Sequence, residues 1–237
     1  MSIISGKIVY ITGASRGIGR TIALRLAAEK VKLAICGRDI EALKKVENEI
    51  FSAGGQIPFW KAFDVTDETS LLEFYMEAKK TLGPPDILIN NAGYNFKKVP
   101  LWEIRTEDFD RMIAVNLRAP FILMREAFPD MKEKGGGHIV NILSTVCHFS
   151  VENMSVYTAA KKGFQGLTDV FRKEARPFNI RVTSIYPGGV DTEFRKVPRH
   201  DYMKPKSVAE AVYTCITLPE DLVVHHLTFR PMVESNF

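Results

Sequence analysis

Short apolar runs alternate along the chain with longer stretches in which apolar residues recur every three or four positions. Residues 8–11 have strand length and strand composition and stop at Thr12-Gly13; Ile18, Ile22, Ala23 and Leu26 follow with helical spacing. Residues 31–36 predict a second strand. Residues 40–53 predict an amphipathic helix with Leu43, Val46 and Ile50 on one face and Asp39 as its N-cap. The alternation continues with a strand over 57–63, a helix over 66–82 and a strand over 86–90. Residues 106–133 predict one or two long helices, with Pro120 at a turn boundary or a kink. A strand over 137–143, a helix over 153–176 and a strand over 180–186 come next. A short polar segment, 190–206, leads to a helix over 207–217 and a last strand over 223–229. Strands apolar at nearly every position belong in a parallel sheet covered on both faces. The expected fold is α/β, a doubly wound, mostly parallel sheet in a single domain spanning residues 1–237.

Composition changes this picture little and excludes several classes. The chain has 237 residues, 46% of them hydrophobic and 25% charged, which suits one domain with a full core. The formal charge of +4 is dispersed, so it favours anionic ligands without making a nucleic-acid footprint. No apolar run reaches membrane-spanning length, and MSIISGK lacks the shape of a signal peptide. The three cysteines, Cys36, Cys147 and Cys215, have no metal spacing, and their low, odd number suits a reducing cytoplasm. A cytoplasmic location, no metal, no nucleic acid and no membrane are therefore the expectations.

In such a sheet ligands bind at the carboxyl ends of the strands, and the informative residues stand there. The first strand runs into a turn with Gly13, Gly17 and Gly19, spaced G-x-x-x-G-x-G, and then into a helix. Glycines let backbone N–H groups reach a phosphate at a helix N-terminus without an intervening Cβ. The bland alternative is a glycine-rich turn with no ligand. Where the general rule places an acidic residue for NAD, the second strand ends in Gly37 followed by Arg38. Glycine offers no carboxylate to repel a 2′-phosphate, and Arg38, with Arg16 in the turn, offers planar forks to bind one. This favours NADP over NAD. Asp39 weighs slightly against it, and two solvated surface arginines are the bland alternative.

Tyr157 and Lys161 stand four apart in a helical stretch and so share a face. A neighbouring ammonium lowers a phenol's pKa toward working pH. Ser144 ends the fifth strand, Asn116 lies in the preceding helix, and Asn90-Asn91-Ala92-Gly93 end the fourth strand. Each alone reads equally as a cap, turn or helix-surface residue. Their order along one sheet edge is the stronger observation.

The set TGASRGIG at 12–19, Asp64-Val65, NNAG at 90–93, Asn116, Ser144, Tyr157-x-x-x-Lys161 and Pro187-Gly188 with Thr192 resembles the short-chain dehydrogenase/reductase family across essentially the whole chain. Its 3-oxoacyl-carrier-protein reductase-like branch is the nearest in kind. The resemblance implies a seven-stranded Rossmann-like sheet and NAD(P)-dependent interconversion of carbonyl and alcohol. It makes Tyr157 the acid–base residue, and Ser144 the group that orients the substrate oxygen. Lys161 becomes the holder of the nicotinamide ribose and tuner of Tyr157, and Asn116 the support of a relay water. It assigns the phosphates to Gly13, Ser15, Arg16, Gly17, Ile18 and Gly19. The adenine would lie by Asp64 and Val65, the adenosine ribose side by Asn91, Ala92 and Gly93, and the nicotinamide by Pro187, Gly188, Val190 and Thr192. It further implies a homodimer or homotetramer built on the long helices.

Two departures stand out. The C-terminal LTFRPMVESNF lacks the glycine pair common in the family, which puts one dimer interface in doubt, and 190–206 is short for a substrate lid. A rather open site for a broad carbonyl reductase is expected. Tyr94, Phe96, Val146, Met154 and Phe194 are the substrate-side residues, with Val151, Tyr202 and Met203 nearby, which makes a mostly apolar pocket. His148 reads as a solvated loop histidine before a second proton donor, and Cys147 as packing. Arg195, Lys196, Arg199, His200 and Lys204 make the lid basic. That reads equally as a rim for an acyl-carrier protein or coenzyme A, or as a solvated loop. Three functions compete: an NADPH-dependent reductase of a ketone, aldehyde or 3-oxoacyl thioester; a sugar, polyol or steroid-type alcohol dehydrogenase working in oxidation; and a non-catalytic NADP-binding sensor. The intact Ser-Tyr-Lys set speaks against the last.

Overall fold

Alternation within the apolar runs sorts side chains onto two faces. The computed structural model describes residues 2–96, 98–194 and 197–234. In it β1 (Ile8–Thr12) sends Tyr10 to one side and Val9 and Ile11 to the other. β2 (Lys32–Gly37), β3 (Phe59–Ala62), β4 (Ile87–Asn90), β5 (Gly137–Ile142), β6 (Ile180–Pro187) and β7 (His226–Phe229) join it. The seven strands form one sheet in the order β3-β2-β1-β4-β5-β6-β7, and every pairing is parallel. The strand order reverses between β1 and β4, and at such a switch point the connections diverge to opposite faces and leave a crevice.

The connections are α1 (Gly17–Ala27), α2 (Ile40–Ser52), α3 (Glu68–Leu82), α4 (Thr106–Ile113), α5 (Ala119–Glu133), α6 (Ser155–Ala175) and α7 (Pro205–Thr217). Helices α1, α2 and α7 bury Ile22, Leu43 and Val212 against the Val9–Ile11 face; α3, α5 and α6 bury Phe74, Leu123 and Phe164 against the Tyr10 face. Polar links reinforce both layers. Arg25 of α1 bonds Glu210 of α7 at 3.0 Å and stacks on Tyr213 at 3.5 Å. Tyr75 and Lys79 of α3 both donate to the buried Asp130 of α5, at 2.7 and 2.6 Å.

Most predicted elements form, with ends shifted for local reasons. Asp39 caps α2 as expected, accepting from the Ala42 amide at 3.0 Å. α3 begins at Glu68, because Asp67 takes the Thr69 amide as N-cap and Asp64 folds Thr66 into a tight turn. The predicted helical stretch 106–133 is interrupted: Ala114–Arg118 form a π-helical segment between α4 and α5, and Pro120 stands in the first turn of α5, where a missing N–H is harmless. α7 starts at Pro205, and β7 is shorter than 223–229.

Candidate active site

A cleft of about 1740 Å³ runs past the carboxyl ends of the strands. Its floor at β1 is the glycine turn. A Cβ on Gly19 would strike the Gly13 carbonyl and the Asn91 amide nitrogen, so the start of α1 lies directly on the turn. Asn91 ties that turn to β4: its Nδ2 donates to the carbonyls of Thr12 and Gly13 at 2.9 and 3.1 Å. The Thr12 hydroxyl accepts from the amides of Asn91 and Ala92 at 3.1 and 3.0 Å. The side chain of Asn91 is thus committed to holding the cradle's shape. At the end of β2 a Cβ on Gly37 would lie 2.8 Å from Ser15 Oγ, so a side chain there would force Ser15 to shift. Arg38 follows it, half exposed, and Asp39's carboxylate is occupied in capping α2.

The residues that the sequence marks for acid–base chemistry stand on α6 and the turn after β5. Tyr157 and Lys161 share a face of α6, with Lys161 Nζ 6.0 Å from the centre of the Tyr157 ring. Lys161 is 3% exposed and donates to the Ile142 carbonyl at 3.0 Å. Burial pulls its ammonium down to about 8. Ser144 caps the short helical turn after β5, and its hydroxyl accepts from the Val146 amide at 3.3 Å. These three residues line one wall of the cleft.

Asn116 does not line it. It is fully buried in the π-helical segment, where its Nδ2 donates to the carbonyls of Tyr94 and Met112 at 2.7 and 2.9 Å and its Oδ1 accepts from the Tyr94 amide at 3.2 Å. Its side chain is consumed in fixing the loop after NNAG to the widened helix turn. It stands behind Gly93, where a Cβ would lie 3.5 Å from its Oδ1 and 3.9 Å from Lys161 Nζ.

Every other cofactor residue named from the sequence lines the cleft: Gly13, Ser15, Arg16, Gly17, Ile18, Gly19, Arg38, Asp64, Val65, Asn91, Ala92, Gly93, Pro187, Gly188, Val190 and Thr192, as do the substrate-side Tyr94, Phe96, Val146, Met154 and Phe194. Tyr94, Phe96, Val146 and Met154 pack with Tyr157 in a small apolar cluster, and the Phe194 ring lies 6.3 Å from that of Tyr157. Val151 and Tyr202 also line it. Met203 does not; it pairs with Val190 in a β-bridge. Cys147 and His148 lie outside the lining; burial pushes the Cys147 thiol up, and the exposed His148 packs on Tyr186 at 4.5 Å.

Among the described residues of the basic lid, Arg199, His200 and Lys204 are each paired with an acid. Asp191 accepts from the Arg199 amide, His200 Nδ1 and Lys204 Nζ at 3.1, 3.0 and 3.1 Å, and the Arg199 guanidinium pairs with Asp201 at 2.7 Å. His200 first, then Lys204, hold the Asp191 carboxyl down to about 2. Arg195 and Lys196 lie outside the described residues.

Sequence reasoning missed Arg111, Phe149, Gly189, Arg230 and Glu234, all of which line the cleft. The tail without its glycine pair still reaches the site. Glu234 accepts from the Gly189 amide at 3.0 Å and from Arg230 Nε at 2.9 Å, and Arg230 lies over the Phe149 ring at 4.7 Å. The i,i+4 spacing of Arg230 and Glu234 was the available signal; their contact with Gly189 had none.

Among the described residues no group of histidine, cysteine and acidic side chains could hold a metal, and no helix is long and apolar enough to cross a membrane. Residues 7–202 match the family model for short chain dehydrogenases. An uncharacterised oxidoreductase of Staphylococcus aureus (strain MW2) is 32% identical over 235 residues, covering 98% of this chain and all of that one. An alcohol dehydrogenase of the archaeon Thermococcus sibiricus, solved with 5-hydroxy-NADP, superposes with a TM-score of 0.89 at 31% identity, over 96% of this chain and 97% of that one. A 7α-hydroxysteroid dehydrogenase solved with NADH and 7-oxo glycochenodeoxycholic acid gives a TM-score of 0.89 at 28% identity, over 97% and 94%. The glycine cradle, the cleft at the switch point and the Ser144, Tyr157 and Lys161 wall thus coincide with the sequence match, and the chain belongs to the short-chain dehydrogenase family of oxidoreductases.

Proposed function

We propose that the protein is an NADPH-dependent reductase that converts a ketone, an aldehyde or a 3-oxoacyl thioester to the alcohol. The observation that carries this is the juxtaposition of Ser144, Tyr157 and the buried Lys161 on one wall of the cleft that begins at the glycine turn. The residues fit a dinucleotide: the turn leaves backbone where a Cβ would collide, and Arg16 and Arg38 line the end beyond β2. The nicotinamide, when bound, supplies the hydride. The Ser144 hydroxyl donates to the substrate carbonyl and holds it beside Tyr157. The Tyr157 hydroxyl then gives its proton to the developing alkoxide, and the Lys161 ammonium stabilises the phenolate that remains. Asn116 acts through the backbone it fixes. The apolar cluster of Tyr94, Phe96, Val146 and Met154 excludes water from that exchange and favours a substrate with an apolar body.

NADPH over NADH is supported by the closed position at Gly37 and by the commitment of Asp39 to its cap. With Arg199, His200 and Lys204 already paired with Asp191 and Asp201, the case for an acyl-carrier protein weakens, so the thioester is one member of a wider panel. Self-association as a homodimer or homotetramer, in the cytoplasm, is part of the same reading. The apolar groove of Phe121, Phe128, Phe171 and Phe178 on α5, α6 and the turn after it supports the association. The test is oxidation of NADPH and NADH by wild type and Tyr157→Phe against ketones, aldehydes and a 3-oxoacyl thioester. NADPH-linked turnover that the variant loses is the expected result. Turnover linked to NADH alone, or undiminished in the variant, overturns the proposal.

A further inference from the structure

The carboxyl end of β3 carries a charge cluster that the reaction scheme does not use. Asp64 Oδ1 accepts from the amide and hydroxyl of Thr66 at 3.0 and 2.9 Å. Its Oδ2 accepts from Arg111 of α4 at 2.6 Å and stands 3.8 Å from Arg38 at the end of β2. Arg111 is held in place by the Tyr94 ring, 5.4 Å from its guanidinium carbon, and the 64–67 turn is held by Arg118, which donates to the Thr66 carbonyl at 2.6 Å. Burial pushes the Asp64 carboxyl up, but the Thr66 amide and hydroxyl and then Arg111 outweigh it and keep it below its ordinary value. Asp64 is therefore a carboxylate at working pH.

Oδ2 thus faces two guanidinium groups, Arg111 closely and Arg38 more loosely. Without a second cation the carboxylate would cancel the charge of Arg38 and would itself repel a further anion. Arg111 supplies the missing charge. The three side chains are 55% (Arg38), 31% (Asp64) and 37% (Arg111) exposed, so their attraction is screened but not lost.

We propose that Arg111 is a specificity-determining residue for the cofactor's 2′-phosphate: by neutralising Asp64 it leaves Arg38 as a net positive fork at the end of β2. This rests on the NADPH reading above. It concerns binding and not hydride transfer, so it is read without turnover.

The probes are adenosine 2′,5′-bisphosphate and 5′-AMP, which differ only in the 2′-phosphate; binding is measured by titration calorimetry on the full chain. Wild type binds the bisphosphate more tightly, and Arg38→Met abolishes that preference. Arg111→Met lowers the preference about tenfold, the size of one charge at several ångströms in half-exposed surroundings, with 5′-AMP affinity little changed. Arg111→Lys keeps most of it. Asp64→Asn moves the other way and raises the ratio, and in the Arg111→Met background it restores it. A preference lost in Arg38→Met but untouched in Arg111→Met, or a ratio lowered by Asp64→Asn, overturns the role of Arg111 alone. A wild type indifferent to the 2′-phosphate overturns the NADPH reading with it. Should Arg111→Met fail to fold, Arg111→Gln, which keeps a polar side chain beside Asp64, carries the same expected loss and the same overturning result.

Discussion

Gly37, the last residue of β2, packs so closely on Ser15 that a Cβ there would sit 2.8 Å from the hydroxyl oxygen and 2.9 Å from the Ser15 Cβ. The Ser15 Cβ cannot rotate aside, so the usual way to favour NAD, an acidic residue ending the second strand, requires this turn to move. Gly37→Asp is expected to lower Tm by roughly 3–10 °C, the cost of overpacking a tight contact, and to weaken binding of both cofactors. Gly37→Asp with Ser15→Gly recovers the melting temperature. Thermal melting of the single and double variants, with cofactor titration, checks this; a Gly37→Asp protein as stable as wild type defeats it.

Lys161, which the proposed reaction uses to stabilise the Tyr157 phenolate, is expected to cost the fold stability. Its buried ammonium titrates at about 8, below the ordinary lysine value of about 10.4 in the unfolded chain. The unfolded chain therefore holds the proton more tightly. The penalty is complete below pH about 8 and disappears as pH rises toward about 10.4. Lys161→Met is expected to be more stable than wild type by about 1–3 kcal/mol at pH 7, offset in part by the lost bond to Ile142, with turnover down about 100-fold or more. Urea unfolding at pH 7 and 10.5 tests both halves: the stability gain should shrink to near zero at the higher pH.

His138 sets an acid limit from the opposite end of the sheet. It is 1% exposed, its Nε2 pairs with the Thr183 hydroxyl at 2.8 Å, and burial, then the Arg181 charge, pulls it down to about 3. The unfolded histidine titrates near 6.5. Stability from the neutral ring is thus complete above pH about 6.5 and is lost progressively toward pH about 3, with a slope of up to about 1.4 kcal/mol per pH unit. His138→Gln, which keeps a polar partner for Thr183, should flatten that slope. Unfolding free energies at pH 7 and 5 for both proteins measure it; equal slopes would exclude His138 as the source.

Glu234 fastens the tail to the loop after β6. Glu234→Ala removes the acceptor of the Gly189 amide and one partner of Arg230. A loss of about 1–2 kcal/mol of stability is expected, with KM for the carbonyl substrate raised about fivefold as the wall facing Phe149 loosens. Glu234→Gln, which can still accept from Gly189, should retain most of the stability. Steady-state kinetics beside thermal melting separates the two effects, and an unchanged KM in Glu234→Ala would remove the tail from the substrate site.

How much of this could be read in the sequence differs from residue to residue. Tyr157 and Lys161 were legible as a pair because helical spacing alone puts them on one face, and the glycine turn because a strand must break before a helix starts. Asn116 was legible as unusual but not in its role: the π-helical segment that turns its amide onto Tyr94 and Met112 leaves no mark in a period of 3.6. The lid's charge was legible only as a count, because lysines and arginines tallied along 190–206 do not reveal that Asp191 and Asp201 pair with Arg199, His200 and Lys204.

The sequence by itself determined the alternation of strands and helices, the sheet they build and the glycine turn and tyrosine–lysine face at its carboxyl edge, since these follow from apolar period and local spacing. Only the tertiary structure decided which distant charges meet. Arg111 and Asp64 are 47 positions apart and Gly189 and Glu234 are 45. Pairings of that kind depend on how the sheet order and helix packing bring loop ends together, and neither local propensity nor periodicity carries that information.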